Sequence, residues 1–166
     1  MLPIDGFLRA PHIPAMRLTQ QTNYAIRLLI YCAASDGRPS KVGDIASTFG
    51  ISELHLFKIL KVLVDGGFVE TIRGRKGGVL LAKPPQDITV GQVVRVTEEN
   101  FTLTDCFDES KQDCPLISAC DYNQILHQAL AAFLAVLDTK TIADLSEARP
   151  DIRFLLDLPM QAVAVN

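Results

Sequence analysis

The stretch ISELHLFKILKVLVDGGFVETIRGRKGGVLLAKPP, residues 51–85, decides the fold. It starts near Ser52, a residue type that caps helix N-termini, and runs as an amphipathic segment to Gly66. After that glycine, FVETIR and VLLA indicate strands on either side of a glycine-rich turn. A helix followed directly by a β-hairpin is therefore predicted. The predicted core face of the helix consists of Leu56, Ile59, Leu60 and Leu63.

Two further helices are predicted before this stretch. Thr19 is a suitable N-cap for the run QQTNYAIRLLIYCAAS, and Ser40 is predicted to cap a short helix that Gly50 ends. Short helices joined by a tight glycine-containing turn are typical of a helix-turn-helix, and the hairpin extends it to a winged helix. The predicted core residues of the two helices are Tyr24, Leu28, Tyr31, Cys32, Val42, Ile45, Ala46 and Phe49.

A cysteine-rich segment and a long apolar helix follow the hairpin. Thr89, with Gln92 three residues later, predicts a capping box for a short helix. The polar, acidic segment of about residues 101–121 holds three of the four cysteines, and loops of this length in compact proteins are usually functional or disordered. The run from about Tyr122 to Leu137 is apolar nearly all round, so we expect a partner subunit to cover it.

The charge is divided unevenly along the chain. Residues 16–85 carry ten lysines and arginines against five acids, whereas residues 86–166 carry five against thirteen. A basic first half suits a polyanion such as double-stranded DNA. No apolar stretch approaches the roughly 20 residues of a membrane-spanning helix, and the opening residues lack the basic start of a secretory signal. We therefore expect a cytoplasmic protein with reduced thiols and no membrane partner.

The helix of residues 53–65 and the hairpin tip carry the candidate DNA contacts. Lys58 suits a phosphate or a guanine edge, and Leu54 and Phe57 suit thymine methyl groups. At the hairpin tip, cations stand among glycines that allow close approach to phosphates. The alternatives are that the apolar pair packs on a neighbouring element and that the tip is a tight turn with surface charges. The predicted DNA-contacting residues are Ser52, Leu54, His55, Phe57, Lys58, Lys61, Arg73, Arg75 and Lys76.

The cysteines of the acidic segment are Cys106, Cys114 and Cys120, with the spacing C-x7-C-x5-C. This spacing is too open for the C-x2-C pairs of zinc ribbons. Thiolates suit the iron atoms of an iron-sulfur cluster, but the spacing alone leaves iron-sulfur, zinc and redox-thiol chemistry open. Cys32 lies on a predicted core stripe, where a cysteine is expected to act as a small buried hydrophobe.

Together these motifs resemble the Rrf family of iron-sulfur winged-helix transcription regulators, the group that includes IscR, NsrR and RirA. The stretches SELHLFKIL and DCPL are most similar to the RirA branch. The resemblance covers about residues 16–145 and is carried by four stretches and the three-cysteine segment. The four stretches are MRLTQQTNYAIRLLIY at Met16, ISELHLFKIL at Ile51, VETIRGRKGGVLLAKP at Val69 and TIADL at Thr141.

The resemblance implies a homodimer that binds a palindromic operator on double-stranded DNA, with no enzymatic activity and no small-molecule substrate. It places an iron-sulfur cluster, 4Fe-4S rather than 2Fe-2S, on Cys106, Cys114 and Cys120. The fourth ligand stays open, because Asn23 and Asn123 stand where the family has an aspartate or a histidine. The remaining candidates are a solvent-derived ligand and the acids Asp105, Asp113 and Asp121.

We therefore predict a mainly α protein with a small β-hairpin wing and a long C-terminal dimerisation helix. Residues 1–15 are expected to be a disordered extension or to precede the true start. Residues 16–85 form the winged helix-turn-helix domain, 86–145 the cluster-binding loop and dimerisation helix, and 146–166 a tail.

The expected function is an iron-responsive transcriptional repressor. One alternative is a nitric-oxide or redox sensor of the same fold, which uses the cluster, a thiol switch or zinc. A redox enzyme or electron carrier is disfavoured, because no nucleotide-binding glycine motif follows a strand and no acid/base pair lies beside the cysteines.

Overall fold

The structure is a computed structural model that describes residues 17–104, 107, 114–116 and 120–158. Its helices are accompanied by a two-stranded antiparallel sheet in which Val69 lies opposite Leu81 and Ile72 opposite Gly78. This architecture confirms the predicted mainly α fold with a small hairpin wing. The elements are α1 (Gln20–Ala34), α2 (Val42–Phe49), α3 (Glu53–Asp65), β1 (Val69–Ile72), β2 (Gly78–Leu81), a 3-10 turn (Pro85–Asp87), α4 (Val90–Thr97), α5 (Asp121–Asp138), α6 (Ile142–Glu147) and α7 (Ile152–Leu155).

Three of the predicted helix caps are confirmed. The hydroxyl of Thr19 accepts the N–H of Thr22 at the start of α1, and Ser52 caps α3 in the same way. At α4, Thr89 and Gln92 form both halves of the predicted capping box. Local sequence therefore fixes where these helices begin, because each cap satisfies backbone donors that have no partner within the helix.

The predicted cap at Ser40 is wrong. The residue before α2 is Lys41, which makes no side-chain cap. Ser40 instead exchanges two backbone hydrogen bonds with Val79 of the wing, at 2.9 and 2.8 Å. Its hydroxyl donates to the hydroxyl of Ser35 at 3.0 Å. The backbone of Ser40 is therefore held in a long-range strand contact, although its side chain favours a helix N-cap.

One hydrophobic core joins the helix-turn-helix to elements that follow the wing. All four predicted core residues of α3 are buried, together with Leu28, Tyr31 and Cys32 of α1. Tyr24, Val42 and Phe49 are partly buried at its margin. The same core includes Ile88, Val93, Ile142, Leu156 and Leu158. Elements after the wing therefore stabilise the helices that would meet DNA.

The long helix α5 is the exception to this burial. It has 18 residues and none of them is buried, although most are apolar. Ile125 is 60% exposed and Val136 is 66% exposed. Ala129 and Ala132 lie between them and are exposed as well, so these residues form one stripe at positions i, i+4, i+7 and i+11. In the part of the chain that the structure describes, no helix is long and apolar enough to cross a membrane.

Candidate nucleic-acid interface and cysteine site

The outer face of α3 is exposed as predicted. Leu54 is 72% exposed and Phe57 is 55% exposed, so neither is covered by the rest of the described chain. This exposure contradicts the alternative in which the pair packs on a neighbouring element. Ser52 and Lys58 are exposed on the same helix. Large apolar side chains on a helix that also carries lysines are suited to contacts with base edges in a major groove.

His55 is held at the flank of α3 by a contact with α1. Its ring meets the ring of Tyr24 edge to face, with centroids 5.4 Å apart. The guanidinium of Arg27 lies 5.9 Å from the Tyr24 ring and 5.8 Å from the ring of Phe49 in α2. These contacts fix α1 against both helices of the helix-turn-helix. Sequence reasoning missed the role of Arg27, because nothing local marks an arginine that lies between two rings.

Lys61 differs from Lys58 because it forms an ion pair within α3. Its ammonium lies 2.6 Å from the carboxylate of Asp65, one turn further along the helix. Both side chains are well exposed, so the pair contributes little to stability. Lys61 is therefore able to exchange this carboxylate for a phosphate at small cost.

The wing lies beside α3 and brings the predicted contacts to one side of the molecule. A groove of about 380 Å³ separates the two elements, and Phe57, Lys61 and Ile72 are among its lining residues. The three predicted wing cations, Arg73, Arg75 and Lys76, are exposed. A side chain at Gly77 would place its Cβ 2.1 Å from the carbonyl oxygen of Ile72, so the turn requires glycine there.

Two of the three predicted cluster ligands are described. Cys106 lies outside the described residues. Cys114 is exposed and Cys120 is half-buried, and both are free thiols. Within the described ranges, no group of three or more histidine, cysteine or acidic side chains is close enough to hold a metal ion. Cys120 is the N-cap residue of α5 and makes no side-chain cap there.

Two buried polar atoms lie close in sequence to the cysteines. The hydroxyl of Thr104 and the amide oxygen of Asn123 are buried, and neither has a hydrogen-bond partner within the described structure. The ring of Phe107, next in sequence to Cys106, stacks on His127 of α5 with centroids 4.1 Å apart. Buried polar groups normally have partners, and a helix N-terminus favours negative charge. The free thiol of Cys120 at this helix start therefore suits an iron-sulfur cluster.

Cys32 is excluded from this site. It is 3% exposed, and its thiol donates to the carbonyl oxygen of Val79 at 3.9 Å. Burial raises the pKa of Cys32 to about 12. The prediction that Cys32 is a buried apolar residue is confirmed.

Thiol labelling is expected to separate the cysteines. In metal-free native protein at pH 8, N-ethylmaleimide should modify Cys114 and Cys120 at least about 100-fold faster than Cys32, because Cys32 is buried and protonated. Peptide mass spectrometry would measure the three rates. Labelling in urea is the control, and it should make the rates similar. Fast native labelling of Cys32 would contradict the packing of α1 against the wing.

The exposed α3 face, the adjoining wing and the helix-turn-helix core define a winged-helix protein of the DNA-binding regulator class. The Rrf2 family, described as "Iron-dependent Transcriptional regulator", matches residues 18–148. This chain belongs to that family.

Similar proteins agree with this assignment. Protein aau3 of Rhizobium meliloti (strain 1021) is 52% identical over 143 residues, which cover 86% of this chain and 93% of that protein. The HTH-type transcriptional regulator NsrR of Geobacillus kaustophilus (strain HTA426) is 49% identical over 142 residues, or 85% of this chain and 97% of that one. The structure of CymR, the global cysteine regulator of B. subtilis, has a TM-score of 0.64 at 27% identity and covers 81% of this chain and 99% of its own. The structure of T. potens IscR has a TM-score of 0.63 at 25% identity and covers 81% and 90%.

Proposed function

We propose that this protein is an iron-responsive transcriptional repressor that binds a palindromic operator as a cytoplasmic homodimer. Its sensor is an iron-sulfur cluster on Cys106, Cys114 and Cys120, as in the RirA-like branch of the family. The observation that carries the proposal is the position of Cys120 at the first turn of the uncovered helix α5. One of the proposed ligands therefore belongs to the same element that would form the dimer.

The dimer contact follows from the exposed stripe of α5. The stripe runs from Ile125 through Ala129 and Ala132 to Val136, with small residues at its centre. Small central residues allow two helices to approach closely, while the larger end residues interdigitate. A second α5 presents the same stripe, so a two-fold axis makes the contact self-complementary. The same axis relates the two α3 helices, which then read the two symmetric half-sites of a palindromic operator.

The two parts of the interface have different roles on DNA. Leu54, Phe57 and Lys58 of α3 contact base edges and neighbouring phosphates in the major groove. The cations of the wing bind phosphates and contribute affinity that does not depend on sequence.

The cysteines connect the sensor to this geometry. When bound, an iron-sulfur cluster supplies sensitivity to iron supply, oxidants and nitric oxide. Ligation by Cys114 and Cys120 ties the segment after α4 to the first turn of α5, because metal ligation contributes to folding of the chain that it joins. The tilt of α5, and with it the separation of the α3 pair, then depends on whether the thiolates are ligated.

The experiment is an operator titration under oxygen-free conditions. Protein with its cluster and protein stripped by a chelator are compared on the same DNA at fixed salt, because affinities for DNA depend steeply on salt. We expect the ligated form to bind about 10-fold or more tightly, within the usual range of allosteric coupling. Equal affinities of the two forms would refute the switch.

A nitric-oxide sensor of the same fold is the second candidate, and the similarity to proteins named NsrR favours it. Treatment of the cluster-loaded protein with nitric oxide or with an iron chelator separates the candidates. An iron sensor releases DNA at chelator concentrations that leave a nitric-oxide sensor bound.

The wing gives a separate prediction. Removing the cations at Arg75 and Lys76 by alanine substitution should weaken binding to operator and unrelated DNA alike. The slope of log affinity against log salt should fall by about 1 for each lost phosphate contact. Fluorescence anisotropy over a salt series would measure this slope. Lys140→Ala removes an exposed lysine between α5 and α6 and serves as the control, which should leave the slope unchanged.

A further inference from the structure

The C-terminal end of α5 is joined to α4 by a bidentate ion pair, and the backbone N–H of Val90 in α4 also donates to the carbonyl oxygen of Lys140 just after α5, at 2.8 Å. Both terminal nitrogens of Arg95 donate to Asp138, each at 2.7 Å, one to each carboxylate oxygen. The hydroxyl of Thr89 donates to the same carboxylate at 3.4 Å. The bond from Arg95 lowers the pKa of Asp138 below its ordinary value. A bidentate pair of this kind fixes direction as well as distance.

Gly91 lets this ion pair sit directly on the backbone of α4. A Cβ at Gly91 would lie 2.0 Å from a carboxylate oxygen of Asp138 and 2.8 Å from a terminal nitrogen of Arg95. A side chain at this position would therefore displace the carboxylate of Asp138 or the guanidinium of Arg95 and so disturb the ion pair. Gly91, Arg95 and Asp138 are called the α4–α5 joint below.

The opposite end of α4 is bound to α1. The hydroxyls of Thr97 and Thr22 are 2.6 Å apart in a buried hydrogen bond. The backbone N–H of Thr19 donates to the carboxylate of Glu98 at 2.8 Å, so the end of α4 helps to cap the start of α1. Between its two ends, α4 buries Val93 in the hydrophobic core. α4 therefore cannot tilt without moving α1, which packs on α3.

The other end of α5 contacts the cysteine segment instead, because the ring of His127 stacks on Phe107 with centroids 4.1 Å apart. Its N-cap is Cys120, without a side-chain cap, and none of its residues is buried. The first half of α5 is thus connected to the cysteine segment through Cys120 and His127, and its last turn is connected to α4 through the joint. The joint is partly exposed, and its bidentate geometry orients the last turn of α5, so a displacement of the cysteine segment would change the tilt of α5 relative to α4.

We propose that the α4–α5 joint couples the state of the cysteine segment to DNA binding. In this role Arg95 and Asp138 are positioning residues that transmit the tilt of α5 through α4 to α1 and α3. The inference rests on the proposed function, and it adds the residues through which regulation passes. This coupling role differs from a purely structural role. Loss of a purely structural ion pair would change the operator affinity of the ligated and unligated forms equally.

The test compares operator affinity with and without the cluster in Asp138→Ala, in Arg95→Met and in the double variant. The ratio of the two affinities is the readout. We expect each single variant to bring this ratio to within about twofold of 1, and the double variant to go no further, because both act through one contact. Iron content and dimer mass should stay at wild-type values. Asp151→Ala breaks the exposed Arg149 pair at 3.3 Å and is the matched control, with a wild-type ratio.

The outcomes separate this inference from the proposed function. If the wild-type protein binds the operator equally well with and without its cluster, both the proposed function and the role of the joint are overturned. A wild-type ratio that persists in Asp138→Ala, with cluster and dimer intact, overturns the joint alone. Asp138→Asn keeps the shape of the side chain and loses its charge, so it provides the same comparison if Asp138→Ala does not fold.

Discussion

A variant carrying Ile125→Glu and Val136→Glu is expected to be a folded monomer that binds the operator at least about 100-fold more weakly than the native protein. Both side chains are well exposed in the single chain, so its own core does not depend on them. In a dimer the same positions would be covered, and unpaired carboxylates buried there are strongly unfavourable. A monomer also loses the gain in affinity that comes from binding two half-sites together.

Analytical ultracentrifugation and operator titration would measure the two effects on the same samples. Gln124→Glu adds one carboxylate to α5 outside the stripe and is the matched control, which should remain dimeric and bind normally. If the double variant stayed a dimer with native affinity, the α5 stripe would not be the subunit interface.

The second large effect is expected at Cys120. Cys120→Ala should lose the visible absorbance of the cluster and bind the operator like chelator-stripped native protein. The reason is that three thiolates are the proposed ligand set, and two would hold a cluster weakly. Anaerobic purification with absorbance spectroscopy, followed by titration on operator DNA, would measure both losses.

Cys32→Ala provides the matched cysteine control for this result. The thiol of Cys32 is buried beside Val79 and does not belong to the proposed ligand set, so the variant should keep the full absorbance and operator affinity. Full absorbance in Cys120→Ala, or its loss in Cys32→Ala, would show that the proposed ligands are wrong.

Sequence periodicity predicted the elements that local rules determine. The core face of α3 follows from apolar residues at helical spacing, and all four of its residues are buried. The outward positions of Leu54 and Phe57 follow from the same periodicity, because residues between core positions must face away from the core. The start of α3 at Ser52 follows from its capping hydroxyl.

Contacts between distant residues were not predictable in this way. The ion pair of Arg95 with Asp138 joins residues 43 positions apart, and neither has a local signal. Ser40 has a good capping side chain, but its backbone is taken by the wing. Arg153 of α7 donates to the carbonyl oxygen of Ala34 at the end of α1, in a segment that sequence patterns left as a tail. In each case tertiary packing, not propensity, decides the conformation.

The structure supports the predicted DNA-contacting residues more directly than the predicted cluster ligands. The structure brings the α3 face and the wing to one side of the molecule, which fits their predicted contacts with DNA. The cysteines gain support from the location of Cys120 at the start of α5.

The most direct measurement is a count of iron and acid-labile sulfide per chain in protein purified without oxygen. A cluster held by three cysteines predicts a brown protein with about three to four irons and as many sulfides per chain. A colourless preparation that contains zinc, or no metal and no labile sulfide, would contradict the account.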